Sequence, residues 1–108
     1  MIPKKILDNT NLELDFISII PTGYGLKSSS AISSAVLLSC AKAFKKTMKD
    51  EEVLKLGAKT SIQTKVSITG AYDDACACHF GGFNVTDNLN MQVIHRELAP
   101  KDLQAIIF

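Results

Sequence analysis

The chain has 108 residues and a net charge of +1, and 46% of its residues are hydrophobic against 21% charged. This composition argues for one globular domain and against disorder, while the near-neutral charge gives no indication of binding to nucleic acid or to an anionic membrane. No apolar run approaches the ~20 residues that span a bilayer, and none follows Met1 as a signal peptide requires. Because three cysteines make an odd number, we expect no disulfide framework and a reducing cytoplasm.

The first predicted element is a strand over Leu12–Ile20, where apolar residues alternate with acidic ones and then run together. Proline and glycine after Ile20 end this strand. A long helix is predicted from Ser28 to about Thr47, because apolar residues recur there at helical spacing. The apolar residues at this spacing are Ile32, Ala35, Val36, Cys40 and Ala43. Leu37 and Leu38 widen the apolar surface, so we expect the helix to be buried on more than one side.

A second helix is predicted from Asp50, as its N-cap, to about Val66, with acidic residues in the first turn. A loop separates it from a short helix that starts at Asp73 or Asp74 and ends at Phe80, before two glycines.

Strands are predicted at the C-terminal end of the sequence. Phe83–Thr86 and Met91–Glu97 flank a polar turn and should form a hairpin. A further strand is expected to begin at Ala105–Phe108, so we expect the chain to be an internal piece of a larger domain.

The segment between the first strand and the long helix contains Gly23 and Gly25, followed by Lys27 and the serines Ser28–Ser30. Glycines let the backbone turn tightly and approach a ligand closely. The first turn of a helix offers unpaired N–H groups at the positive end of its dipole. These features together favour a phosphate-binding site over the alternative, in which the serines only cap the helix and the glycines only turn the chain.

The loop is not a P-loop, because Leu26 precedes the lysine and Pro21 stands where that motif has its first glycine. Its pattern, P-x-G-x-G-L-x-S-S-S-A, instead resembles the second signature of the GHMP kinases, which include galactokinase, homoserine kinase and mevalonate kinase. Lys27, the triple serine and a second block over Ser67–Ala77 are similar to the archaeal shikimate kinases of this superfamily. The resemblance continues through Phe80–Phe83 and covers approximately residues 12 to 108.

The resemblance implies an α+β fold, the GHMP kinase N-terminal domain of the ribosomal protein S5 domain 2-like type, truncated at both ends. Residues 1–98 would be the later part of this ATP-binding domain, and residues 99–108 the start of a connection to a second domain. The implied activity is transfer of phosphate from ATP, with Mg²⁺, to the 3-hydroxyl of shikimate, a step of chorismate and aromatic amino acid biosynthesis. The alternatives are another GHMP kinase, of homoserine or mevalonate type, and an inactive nucleotide-binding fragment. The isolated chain is expected to be inactive.

The resemblance also implies which residues form the site. The ATP phosphates would lie on the loop formed by Pro21, Gly23, Gly25, Leu26, Lys27, Ser28, Ser29, Ser30 and Ala31. Among these, Ser29 matches a serine near Mg²⁺, and Lys27 would stabilise charge on the transferred group. Thr69 and Gly70 match the substrate-side loop.

Two adjacent aspartates, Asp73 and Asp74, either cap the short helix or take part in catalysis. In several GHMP kinases an aspartate of this loop lies near the hydroxyl that accepts phosphate. The spacing from Gly70 favours Asp73, and the spacing from the glycine pair after Phe80 favours Asp74. We prefer Asp74, because loops absorb insertions more readily than helices.

The segment Cys76–His79 also suggests a metal site. Cysteines two residues apart on a helix point to different faces, and the sequence has no second pair of ligands. We therefore interpret these cysteines as small buried thiols.

Overall fold

A computed structural model describes residues 11–65 and 67–108. It contains three helices and one hairpin: α1 (Ser28–Ala43), α2 (Asp50–Gln63), α3 (Tyr72–Phe80), β1 (Phe83–Asp87) and β2 (Gln92–Glu97). This content confirms the predicted α+β class. Across both described ranges, no helix combines the length and apolar character needed to cross a membrane. The signal-peptide prediction at Met1 and the predicted end of the second helix near Val66 concern residues outside the described ranges.

Helix α1 ends at Ala43, four residues before the predicted Thr47, because the chain turns there in a left-handed conformation. Lys45 has φ 51°, and its N–H donates to the Lys42 carbonyl at 3.1 Å. The N–H of Lys46 donates to the Ala41 carbonyl at 2.9 Å. These two hydrogen bonds form a Schellman motif, which satisfies the last carbonyls of the helix.

The start of α2 differs slightly from the prediction, because Lys49 is the N-cap and Asp50 is the first helical residue. The Glu52 carboxylate accepts a hydrogen bond from the Lys49 N–H at 2.9 Å. Acidic side chains in this first turn also face the positive end of the helix dipole. The acidic cluster therefore supports the helix start, although the cap is one residue earlier than predicted.

Helix α3 begins at Tyr72, one residue before the earlier of the two predicted starts. Ala71 precedes it in a left-handed conformation with φ 53°. At the other end Gly81, with φ 65°, terminates the helix, as predicted.

The two strands form an antiparallel hairpin in which Val85 pairs with His95 and Thr86 pairs with Val93. The register therefore contains an irregularity between Val85 and Thr86. The Asp87 carboxylate closes the turn, because it accepts hydrogen bonds from the backbone N–H and the side-chain amide of Asn90 at 3.1 and 2.7 Å.

The strand predicted at Leu12–Ile20 is wrong for the structure described, because no described residue forms a ladder with it. Ile17 and Ile19 are almost fully exposed, at 99% and 96%. The strand predicted to begin at Ala105–Phe108 is absent for the same reason. Alternating apolar residues favour a pleated strand, but the strand forms only where a second backbone supplies hydrogen bonds.

The core consists of two buried clusters. The first joins α1 to α2, and the second joins α2 to α3 and the hairpin. Their buried residues are Leu37, Cys40, Ala41 and Val53 in the first, and Leu54, Ala58, Tyr72, Cys76 and Met91 in the second. The buried residues of α1 are Ser34, Leu37, Cys40 and Ala41.

The predicted burial of α1 is confirmed at Leu37 and Cys40, whereas Ala35 and Ala43 are exposed. Ile32 and Ala35 instead line a shallow groove against the apolar segment 16–20. Helical periodicity predicted the helix but not which of its apolar residues would be buried.

The three cysteines are free, and they differ in accessibility, since Cys40 and Cys76 are buried and Cys78 is exposed. Burial raises the pKa of the Cys40 and Cys76 thiols, and partial desolvation together with the Asp74 carboxylate raises the pKa of Cys78. We expect a disulfide reagent at pH 8 to modify Cys78 first, and Cys40 and Cys76 only after unfolding. Peptide mapping by mass spectrometry checks this order, and Cys78→Ser removes the accessible thiol. Equal rates at Cys40 and Cys78 in the native state would contradict it.

Candidate functional site

A cleft of about 310 Å³ lies where the N-terminus of α1, the C-terminal half of α2, the loop 67–71 and the start of α3 meet. Its outer part is polar and includes Lys27, Ser29, Ser30 and Asp74, whereas its inner part contains buried apolar side chains. Elements far apart in the sequence thus converge on one concave surface, the usual location of a small-molecule site.

The loop before α1 has the backbone conformation that its glycines permit. Gly23 and Gly25 have φ values of 86° and 75°, and a Cβ atom on either one would meet nothing within 4 Å. Lys27 follows in a left-handed conformation, with φ 57°. The space in front of the loop is therefore open, so a ligand can approach its backbone closely.

The first turn of α1 has amides available for a ligand. The first intrahelical bond runs from the Ala31 N–H to the Lys27 carbonyl at 3.0 Å. In the described part of the chain, no side chain caps this helix, and its first turn contains no acidic residue. The serines therefore do not act as N-caps. The amides of Ser28–Ser30 lie at the positive end of the helix dipole, where an anion is stabilised.

One ion pair crosses the outer part of the cleft, between Lys27 Nζ and Asp74 Oδ2 at 3.1 Å. The two side chains are 57% and 23% exposed. An ion pair this accessible to water contributes at most ~1 kcal/mol, so either partner can turn to a ligand at little cost. Asp73 is exposed and does not line the cleft. The structure thus brings Asp74, and not Asp73, to the predicted phosphate loop.

The predicted site residues fall into two groups. Those that line the cleft are Lys27, Ser29, Ser30, Gly70 and Asp74. Those outside its lining are Pro21, Gly23, Gly25, Leu26, Ser28, Ala31, Thr69 and Asp73.

The loop before α3 is held by its own polar groups. Ser67 Oγ accepts a hydrogen bond from the Gly70 N–H at 2.9 Å, and Thr69 Oγ1 accepts one from the Ala71 N–H at 3.4 Å. Thr69 is exposed, whereas Gly70 is buried against Ala58 of α2. Gly70 therefore fixes the position of this loop on α2.

Four serines of the cleft were not predicted from the sequence: Ser33, Ser34, Ser61 and Ser67. A signal for two of them exists, because Ser30, Ser33, Ser34 and Leu37 lie three or four residues apart on one helix face. That spacing does not show that the face borders a cavity, since this depends on how α2 packs against α1.

The metal interpretation of Cys76–His79 finds no support. Cys76 is buried and Cys78 is exposed, while His79 Nε2 lies 2.8 Å from Asp50 Oδ2. Within the described residues, no group of three or more His, Cys, Asp or Glu side chains could hold a metal ion. In the cleft, the Ser29 hydroxyl and the Asp74 carboxylate are oxygen donors of the type that Mg²⁺ prefers.

The structure combines an α+β domain with a glycine-containing loop that leads into a helix whose first amides have no side-chain cap. Comparison with known families agrees, because the family described as GHMP kinases N terminal domain matches residues 2–82. The chain therefore belongs to the GHMP kinase family.

Within this family, the chain is similar to curated proteins named shikimate kinase. The chain is 46% identical over 91 residues to a protein named shikimate kinase from Methanosarcina mazei, and 42% identical over 85 residues to one from Pyrococcus furiosus. These alignments cover 84% and 79% of this chain but 30% and 31% of the relatives. The chain thus spans about a third of the length of the curated relatives that it matches. No solved structure matches it.

Proposed function

We propose that this chain provides part of the active site of an ATP-dependent kinase that phosphorylates the 3-hydroxyl of shikimate. The observation that carries the proposal is the ion pair between Lys27 Nζ and Asp74 Oδ2, which are 3.1 Å apart. This pair lies beside the uncapped amides of α1. A cation, a carboxylate and free amides in one cleft are the groups that phosphoryl transfer requires. The curated relatives named shikimate kinase support the choice of acceptor.

The first part of the proposed mechanism is binding of phosphate by this chain's own groups. The amides of Ser28–Ser30 and the hydroxyls of Ser29 and Ser30 would bind phosphate oxygens, and Lys27 would neutralise charge on the transferred group. Ser29 is the candidate ligand for Mg²⁺. When bound, ATP and Mg²⁺ supply the phosphoryl group and part of the charge neutralisation.

The second part concerns the acceptor. Asp74 would accept the proton of the acceptor hydroxyl as its oxygen bonds to the γ-phosphorus of ATP and the bond from that phosphorus to the bridging oxygen breaks, which releases ADP. Its present partner, Lys27, is on the phosphate-binding side of the cleft. If Lys27 turns to the phosphates, the Asp74 carboxylate is released to face the acceptor. The three free cysteines fit our proposal that this chemistry takes place in the cytoplasm.

The test is a coupled assay of ADP release by the complete polypeptide encoded by the gene that contains these 108 residues, hereafter the complete gene product. We expect ATP-dependent turnover with shikimate and at least 100-fold lower kcat/KM with homoserine or mevalonate, since a pocket built to hydrogen-bond one substrate strongly rejects others. A higher kcat/KM with homoserine or mevalonate than with shikimate would show that the preferred compound, and not shikimate, is the acceptor. Absence of turnover with all three would contradict the kinase proposal and favour a nucleotide-binding protein without catalytic activity. The 108-residue chain alone is expected to show no turnover.

A further inference from the structure

The inner end of the cleft combines hydroxyl groups with aliphatic side chains. Ser34 and Ser61 line the cleft together with apolar residues of α1 and α2, including Leu37 and Leu54, whereas Ser33 lines it at an exposed position. Ser34 is only 5% exposed, and among the described residues it is the one polar residue that is buried.

These hydroxyls are available to a ligand. Thr60, on the same helix as Ser61, donates its hydroxyl to the Leu56 carbonyl at 2.8 Å. By contrast, the hydroxyls of Ser33, Ser34 and Ser61 form no hydrogen bond with any other group in the described ranges. The cleft therefore contains hydrogen-bonding capacity that the protein itself does not use.

The charge and shape of this inner end restrict what it can bind. Among the described residues that line the cleft, the charged ones are Lys27 and Asp74, which pair with each other at its outer end. No aromatic side chain belongs to the described lining, so a nucleobase has no ring to stack on. Serine hydroxyls beside aliphatic carbons instead complement an aliphatic ring with hydroxyl substituents, whose faces are apolar and whose edge is polar.

We propose that Ser34 and Ser61 are specificity-determining residues that bind the hydroxyl groups of an alicyclic polyol acceptor at the inner end of the cleft. This inference rests on the proposed kinase function and assigns the part of the site that holds the acceptor ring. It places the ring against Leu37 and Leu54, beyond the outer end where phosphate binds. A linear acceptor with one hydroxyl would leave one or both serine hydroxyls unpaired, which disfavours its binding.

The test compares Ser34→Ala and Ser61→Ala in the complete gene product with the matched control Ser39→Ala. Ser39 is on α1 but is exposed and lies outside the cleft. We expect each cleft variant to raise the KM for shikimate about five- to tenfold, the effect of one lost hydrogen bond, and to leave the KM for ATP within about twofold. The control should change neither constant.

A second readout is calorimetric titration with shikimate alone and with ATP alone. Each cleft variant should weaken shikimate binding by the same five- to tenfold and leave ATP binding unchanged, with an unaltered circular dichroism spectrum. The inference is overturned, and the kinase proposal survives, if the parent phosphorylates shikimate while both variants bind it normally. It is also overturned if the variants weaken ATP binding instead. Failure of the parent to phosphorylate any acceptor would overturn the kinase proposal itself.

Discussion

Replacement of Asp74 by asparagine should lower the kcat of the complete gene product for shikimate by about 10²–10³-fold, the loss typical of a missing general base. The Asp74 carboxylate lines the cleft and lies 3.1 Å from Lys27, whereas asparagine cannot accept the proton of the acceptor hydroxyl. The KM for ATP should stay within about threefold, because the phosphate-binding groups before and in α1 are retained. Steady-state kinetics with both substrates varied provide the measurement.

Asp73→Asn is the matched control, because it changes the adjacent residue by the same chemistry. Asp73 is exposed and does not line the cleft, so we expect its kcat to stay within about threefold of the parent. A larger loss of kcat in Asp73→Asn than in Asp74→Asn would identify Asp73 as the functional aspartate, in agreement with the spacing counted from Gly70. If both variants kept full activity, neither aspartate would be a base, and the role of Asp74 would be only to hold Lys27.

The local elements near the site could be predicted from the sequence because their signals are local. Gly23 and Gly25, which have positive φ, predict the turn before α1. Acidic residues in the first turn predict the start of α2. Gly81 announces the end of α3 in the same way. The C-terminus of α1 could not be predicted from a local signal. The residue that turns the chain there is Lys45, in a left-handed conformation. Lysine seldom adopts that conformation.

Features that depend on distant parts of the chain could not be predicted. The segment Leu12–Ile20 has the alternation of a strand, but the described residues provide no neighbouring backbone for it. The same limit applies to the cleft. Lys27 and Asp74 each looked functional, yet only the packing of α1 against α3 shows that they meet. Ser34 and Ser61 had the sequence pattern of ordinary helix residues, and only the packing of α1 against α2 placed both beside one cavity.

Both helices that bring charged groups to the cleft begin in the same unusual way. Lys27 before α1 has φ 57°, and Ala71 before α3 has φ 53°. Left-handed conformations at residues other than glycine cost free energy and cluster at functional sites. Here they turn the chain sharply, so that the first turns of α1 and α3 both open toward the cleft. These two turns precede the helix starts that carry Lys27 and Asp74, which both line the cleft.

Gly70→Ala tests how the position of α3 is fixed, and it should cause the largest loss of stability in this region. A Cβ atom at Gly70 would lie 2.7 Å from the Ala58 carbonyl oxygen and 3.0 Å from its carbonyl carbon, and both are backbone atoms of a helix. The residue also has φ 78°, which an alanine adopts only with strain of about 1–3 kcal/mol. We expect a lower melting temperature and a kcat reduced at least tenfold, since movement of this loop displaces Asp74.

Gly23→Ala is the matched control for the conformational part of this effect. Gly23 has a similar φ of 86°, but a Cβ atom there would meet nothing within 4 Å. Its variant should therefore suffer only the left-handed strain, with a fall in melting temperature no more than half of that for Gly70→Ala. Equal falls in the two variants would mean that φ alone sets the requirement for glycine, and that Ala58 yields to the added carbon. A larger fall for Gly70→Ala together with lost activity would show that contact between the loop and α2 holds Asp74 in position.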